Sequence, residues 1–251
     1  MKKINNPFEY KPPELPNLRF PWEEQGKQTT PREIYFFFEC LIPLKTTICE
    51  IGKRMWQRGF VDGNGGNISV RVSENMVLCT PTMISKGFMK NSDLCLVDMD
   101  GIQKEGNRPA TSEIMTHLAI YHNVPDACAC VHAHPPHATV FSITNNQPPQ
   151  YILPEVEIFL GEITVVPYHH PGSPEMAEAI GKTALLHQTM LMQNHGAITW
   201  GNHIEAAYWK MENLDAYCQM LLLAKSAGMN LTTIDEKEME KLMEVKNRMN
   251  N

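Results

Sequence analysis

The stretch Val131-His132-Ala133-His134-Pro135-Pro136 constrains the chain more tightly than any other. The small apolar run before it, Ala127-Cys128-Ala129-Cys130, predicts a short buried strand leading into the histidines. Successive strand side chains point to opposite faces, so His132 and His134 fall on the same face. Two imidazoles placed that way either grip one divalent metal ion or are surface histidines that end a strand. A catalytic zinc usually takes three protein ligands and keeps one position open. His195 offers a third: it stands where an apolar strand over 190–194 meets Gly196, before strand resumes at Ala197, and at that kink it could join the first two.

Around this strand the pattern alternates between helices and short strands. Thr30, Pro31 and the apolar positions Ile34, Phe37, Phe38, Leu41 and Ile42 predict a helix, interrupted at Pro43, continued through Ile48, Ile51 and Met55, and stopped by Gly59. The turn Gly63-Asn64-Gly65-Gly66-Asn67 comes next, before Ile68, Val70 and Val72, which alternate with polar residues as a strand does. It is either a plain hairpin or a place where backbone N–H groups crowd round an anion, with Asn67 adding a side-chain donor. Further strands are predicted over 76–82, 94–98, 151–153 and 163–168.

Thr111 or Ser112 is expected to cap a helix with Glu113 in its first turn and Ile114, His117, Leu118 and Tyr121 on its inner face. A glutamate there is ordinarily a partner for the helix dipole. Pro135 and Pro136 open a helix through Val140 and Ile143, and Ser173 with Pro174 opens one through Ala177, Ile180 and Leu185. Asn202 is expected to cap a long helix over 203–227, with Ala206, Trp209, Leu214, Cys218, Leu221 and Leu222 inward. His169 and His170 read as loop residues near an opening, because neighbours in an extended chain point opposite ways.

At 251 residues, 43% of them hydrophobic and 20% charged, the chain suits one sizeable core. A formal charge of −6, with no strongly basic run, argues against nucleic acid or an anionic membrane surface as partner. No apolar run approaches the roughly 18 to 20 residues of a membrane span. The seven cysteines include no CxxC pair, Cys128, Cys130 and Cys218 read as buried reduced thiols, and no apolar segment follows the basic N-terminus, so a cytoplasmic setting is expected. Six prolines between Pro7 and Pro31 predict an extended arm over residues 1–30, followed by one domain over 31–228 and a charged tail over 229–251 that forms a short exposed helix.

Four segments, in order, resemble the class II aldolase/adducin family, which includes L-fuculose-1-phosphate aldolase. They are Gly65-Gly66-Asn67-Ile68-Ser69-Val70-Arg71, then Thr80-Pro81-Thr82, then Thr111-Ser112-Glu113 with His132-x-His134, then Asn194-His195-Gly196. The resemblance implies a single three-layer α/β domain with a mainly antiparallel central sheet covered by helices. It further implies that His132, His134 and His195 bind Zn2+ (Mn2+ or Co2+ fitting similar ligands), that Glu113 is the catalytic acid/base, and that Gly66, Asn67, Thr82, Thr111 and Ser112 bind a substrate phosphate. The implied enzyme is a homotetramer with sites at subunit contacts, acting on a small sugar phosphate and cleaving it to dihydroxyacetone phosphate and an aldehyde.

Two positions depart from the family pattern. Met83 stands where Thr-Pro-Ser/Thr is usually followed by glycine, which predicts a narrowed phosphate pocket or displaced backbone donors. The tyrosine that protonates the leaving aldehyde has no counterpart near residues 151 to 160, where Glu155, Glu157 and Phe159 stand instead. Decarboxylation of a phosphorylated keto acid, which passes through a similar enediolate without that tyrosine, therefore competes with aldol cleavage. Epimerisation ranks lower, since epimerase-like sequences tend to carry Asp in place of Glu113; a dehydratase or a non-catalytic adducin-like interaction domain completes the alternatives.

Overall fold

The computed structural model describes residues 38–249; the expected arm and the start of the first expected helix lie outside them. Eight strands form one sheet in the order β4-β3-β2-β1-β5-β8-β7-β6. In chain order these are β1 (Asn67–Arg71), β2 (Met76–Cys79), β3 (Cys95–Asp98), β4 (Gln103–Glu105), β5 (Ala129–Ala133), β6 (Thr164–Val166), β7 (Thr189–Met192) and β8 (Gly196–Gly201). Every neighbouring pair is antiparallel except β6 with β7.

Strand alternation sorts the core into two faces. Ile68, Leu78, Leu96, Val131 and Leu191 pack with helices α1 (Ile42–Gln57), α3 (Pro136–Ile143), α4 (Pro154–Phe159) and α6 (Ile204–Ser226). Val77, Cys79, Cys95, Cys130, Met190 and Ile198 pack with α2 (Ile114–Asn123) and α5 (Pro174–Thr183) on the other face. The three-layer α/β expectation holds. Among the described residues no helix is long and apolar enough to cross a membrane.

The interruption expected at Pro43 is present: the chain is helical at 38–40, turns at Leu41 and starts again as α1, whose first turn holds Pro43, where its missing N–H costs nothing. Residues 151–153 are not a strand, because Tyr151 adopts φ 64° and Leu153 caps α4, which Pro154 begins. The long helix is capped by His203, whose Nδ1 accepts from the Ala206 N–H at 3.1 Å, and not by Asn202. Trp209 faces outward on that helix, 42% exposed. The tail forms α7 (Glu236–Met249), which docks through buried Met239.

The alternating polar residues of β1 are not solvent-facing. Asn67 and Ser69 are buried on the α2 side, where His117 and Tyr121 meet them. This polar layer inside an otherwise apolar interface leads to the site.

Candidate active site

β5 pairs with β1 and β8, so the ends of three strands meet at His132, with Asn67 opposite it on one side and Ile198 on the other. The chain after β5 is pinned by the His134 N–H donating to the Phe60 carbonyl at 2.8 Å. His195 arrives through the tight β7–β8 connection, in which Asn194 takes φ 54° and the His195 N–H returns to the Met192 carbonyl at 3.0 Å. Gly196 permits the approach: a Cβ there would lie 2.6 Å from His134 Cδ2.

His132, His134 and His195 each present a ring nitrogen, and these three atoms lie within 4.8 Å of one another. His132 Nδ1–H donates to the Ala197 carbonyl at 2.9 Å, and His134 Nδ1 faces Asp62 Oδ1 at 3.5 Å. Those partners occupy the Nδ1 atoms and leave both Nε2 lone pairs free, the arrangement that orients a histidine ligand from behind. Both Nε2 atoms, with Nδ1 of His195, are buried without a hydrogen-bond partner. Burial, then the neighbouring His132, lowers the pKa of His134 and takes His195 down to about 4, against the pull of Glu113. These two imidazoles are therefore neutral near neutral pH. Three clustered imidazoles, two of them held from behind with free Nε2 lone pairs, suit a divalent transition metal.

Glu113 stands beside them as the N-cap residue of α2, one position before the expected first turn. Thr111 Oγ1 accepts from the Glu113 N–H at 3.3 Å. The carboxylate lies 3.4 Å from His132 Nε2 and 3.7 Å from His195 Nε2. Burial alone would raise its pKa, but the imidazoles of His132 and His195 and the hydrogen bond from Asn67 outweigh this and hold it well below the usual carboxylate range. Oε2 accepts from Asn67 Nδ2 at 2.7 Å; Oε1 is buried with no hydrogen-bond partner.

A cavity of about 200 Å3 opens against these groups and brings together Gly66, Asn67, Thr82, Thr111, Ser112, Glu113, His134 and His195. Gly66 takes φ 69°, and a Cβ there would meet the His132 carbonyl at 2.9 Å, so the turn hugs the end of β5. The Thr82 and Thr111 backbone N–H groups are already spent, on the carbonyls of Pro109 and Thr80. Only their side chains remain for a ligand. Asn67 serves the site in a second way: one N–H of its amide donates to Glu113 Oε2.

Met83 takes a left-handed backbone, φ 54°, of the kind glycine adopts freely, but its side chain is 74% exposed and does not line the cavity. The expected narrowing is absent. Neither Glu155, Glu157 nor Phe159 lines the cavity, and Glu157 accepts from the Tyr151 N–H at 2.5 Å. In the loop of His169 and His170 it is Pro171 that reaches the cavity wall. Two features were missed from the sequence. One is Lys86, a buried cation in the cavity wall. The other is the His117–Ser69–Tyr121 chain behind Asn67, which an i,i+4 His–Tyr pair facing an alternating polar strand could have signalled.

Comparison with known proteins agrees with this architecture. Residues 46–222 match the family described as Class II Aldolase and Adducin N-terminal domain. The chain is 31% identical over 201 residues to a 3-oxo-tetronate 4-phosphate decarboxylase of Haemophilus influenzae, covering 78% of this chain and 95% of that protein. It is 34% identical over 181 residues to an L-fuculose phosphate aldolase of Methanococcus maripaludis, covering 72% and 95%. A solved L-fuculose 1-phosphate aldolase superposes with a TM-score of 0.73 at 27% identity, covering 80% of this chain and 94% of that one. The eight-stranded three-layer fold, the histidine cluster beside Glu113 and the match across most of the chain lead to one assignment: the chain belongs to the class II aldolase and adducin family.

Proposed function

We propose that this protein is a metal-dependent aldolase that cleaves a phosphorylated ketose into dihydroxyacetone phosphate, or a similar product, and an aldehyde. The observation that carries this reading is the cluster of three histidine ring nitrogens beside a carboxylate with one free oxygen. In it His132, His134 and His195 hold the metal, zinc first, with manganese or cobalt suiting the same donors. When bound, the cation supplies an electrophile that stabilises negative charge developing on substrate oxygens as the carbon–carbon bond breaks.

The chain's own groups do the rest. Glu113 moves the proton at the carbon that becomes nucleophilic in condensation, taking it in that direction and returning it after cleavage. Asn67 holds Oε2, which leaves Oε1 as the oxygen that carries the proton. Gly66, Asn67, Thr82, Thr111 and Ser112 receive the substrate phosphate, Asn67 through the amide N–H that does not serve Glu113. Binding of that remote phosphate positions the reacting carbons. The unit is residues 31–228, assembled as a homotetramer with sites at subunit contacts in a cytoplasmic setting.

A second reading is decarboxylation of a phosphorylated keto acid, supported by the similarity to the Haemophilus influenzae decarboxylase. The test is release of dihydroxyacetone phosphate from L-fuculose, L-rhamnulose, ribulose and xylulose 1-phosphates, with His132→Ala as control. Aldehyde and dihydroxyacetone phosphate released by the wild type alone support the aldolase. Carbon dioxide released from a 3-keto acid phosphate, with no cleavage of the ketose panel, moves the assignment to the decarboxylase.

A further inference from the structure

Lys86 opens a single 3-10 turn (Lys86–Phe88) between β2 and β3, yet its side chain is 1% exposed. The turn is clamped against α1: a Cβ on Gly52 would lie 2.8 Å from the Lys86 carbonyl, and one on Gly87 would lie 2.6 Å from Trp56 Cγ. Such a platform does not let the side chain swing out to water. Lys86 Nζ donates to the Ile84 carbonyl at 2.9 Å and to the Asn64 carbonyl at 3.1 Å.

An ammonium has three N–H donors, so these two carbonyls leave one donor unmatched and the charge without a contacting anion. Among the described residues no carboxylate oxygen lies within 4.0 Å of Nζ. A buried lysine is normally paired. Here the wall that Lys86 forms belongs to the cavity of Thr82, Thr111 and Ser112, whose side chains are neutral and whose Thr82 and Thr111 backbone donors are committed elsewhere. Burial lowers the lysine to about 8, opposed by Glu113, which still leaves it mostly charged at neutral pH.

We propose that Lys86 is the specificity-determining cation of this cavity, pairing directly with a phosphate dianion and so selecting phosphorylated substrates over neutral or carboxylate-ended ones. This rests on the reading of the cavity as the substrate's phosphate site. It adds the charge that the glycine turn and the hydroxyls lack.

The test is calorimetric titration of the zinc-loaded full chain with inorganic phosphate and, separately, with acetate, for wild type, Lys86→Gln and Lys86→Arg. The proposal expects wild type to bind phosphate well above acetate. It expects Lys86→Gln to lose about tenfold or more in phosphate affinity, as removal of a charged hydrogen bond does, with zinc content unchanged, and Lys86→Arg to recover part of it. Equal phosphate binding by wild type and Lys86→Gln overturns the role of Lys86 and leaves the phosphate site standing. No phosphate binding by zinc-loaded wild type overturns both. If Lys86→Gln does not fold, a crystal structure of the wild type with phosphate decides: the proposal needs a phosphate oxygen about 3 Å from Nζ, and a phosphate seated elsewhere contradicts it.

Discussion

Asn67 Nδ2 donates to Glu113 Oε2 at 2.7 Å, and the same amide's Oδ1 lies 2.5 Å from His117 Nε2. The polarity of the whole chain follows. An ionised carboxylate only accepts, so the Asn67 N–H2 must face it and Oδ1 must accept from His117 Nε2–H. A neutral His117 then accepts at Nδ1 from the Ser69 hydroxyl 2.7 Å away, and the Tyr121 hydroxyl, 2.7 Å from Ser69 Oγ, donates to the Ser69 carbonyl at 3.0 Å. One buried line of hydrogen bonds thus runs from α2 through β1 back to the N-terminus of α2, and it fixes which oxygen of Glu113 is free.

Replacing Asn67 with Ala removes the only hydrogen-bond donor that the described residues give the Glu113 side chain. Turnover on the substrate found in the ketose panel should fall about 10- to 100-fold, as loss of such supporting bonds does. Zinc content should not change. Unaltered turnover would mean that Glu113 is positioned by other contacts.

His117→Phe leaves Asn67 Oδ1 without its donor in a buried layer, while Ser69 Oγ keeps the Tyr121 hydroxyl. Urea unfolding should show a loss of about 1 to 3 kcal/mol, the cost of one unsatisfied polar group. A loss within error of zero would show that water or rotation restores the bond.

The same histidine links stability to pH. Burial, helped by His132, lowers its folded pKa to about 3, so the unfolded chain binds the proton first on acidification. A group depressed in this way contributes stability that is present above its unfolded pKa of about 6.5 and drains away as pH falls towards the folded value. Metal-free wild type should therefore lose stability between about pH 6.5 and 5, where Glu113 is still ionised. The slope should be shallower in His117→Phe; equal slopes would assign the effect to His134 and His195.

Met83 holds a left-handed backbone that costs a residue with a Cβ about 1 kcal/mol. Since its side chain stands outside the cavity, Met83→Gly should raise stability by up to about that amount and leave turnover unchanged. A drop in turnover would show that the contact from Asn64 Nδ2 to Met83 Sδ, at 3.2 Å, shapes the turn beneath the substrate.

The histidine cluster was legible in the sequence because each part has local grammar. A period of two puts His132 and His134 on one face, and Gly196 after His195 marks a close approach of strands. The role of Asn67 was not legible, because it depends on the register that sets Asn67 against His132, which pairs residues 65 positions apart in the chain. Lys86 was hidden for a different reason. It lies in a turn without periodicity, and its burial comes from Gly52 and Gly87 packing, which no local pattern encodes. The apolar triplet at 151–153 reads as strand until the positive φ of Tyr151 and the helix begun by Pro154 are seen.

The most direct measurement of the central claim is exchange of a carbon-bound hydrogen of dihydroxyacetone phosphate with deuterium oxide, followed by proton NMR. It needs no knowledge of the aldehyde and probes the proton movement assigned to Glu113. Zinc-loaded wild type should exchange one hydrogen stereospecifically, and Glu113→Gln should exchange none while keeping its zinc. No exchange by metal-loaded wild type, or equal exchange by Glu113→Gln, would contradict the account.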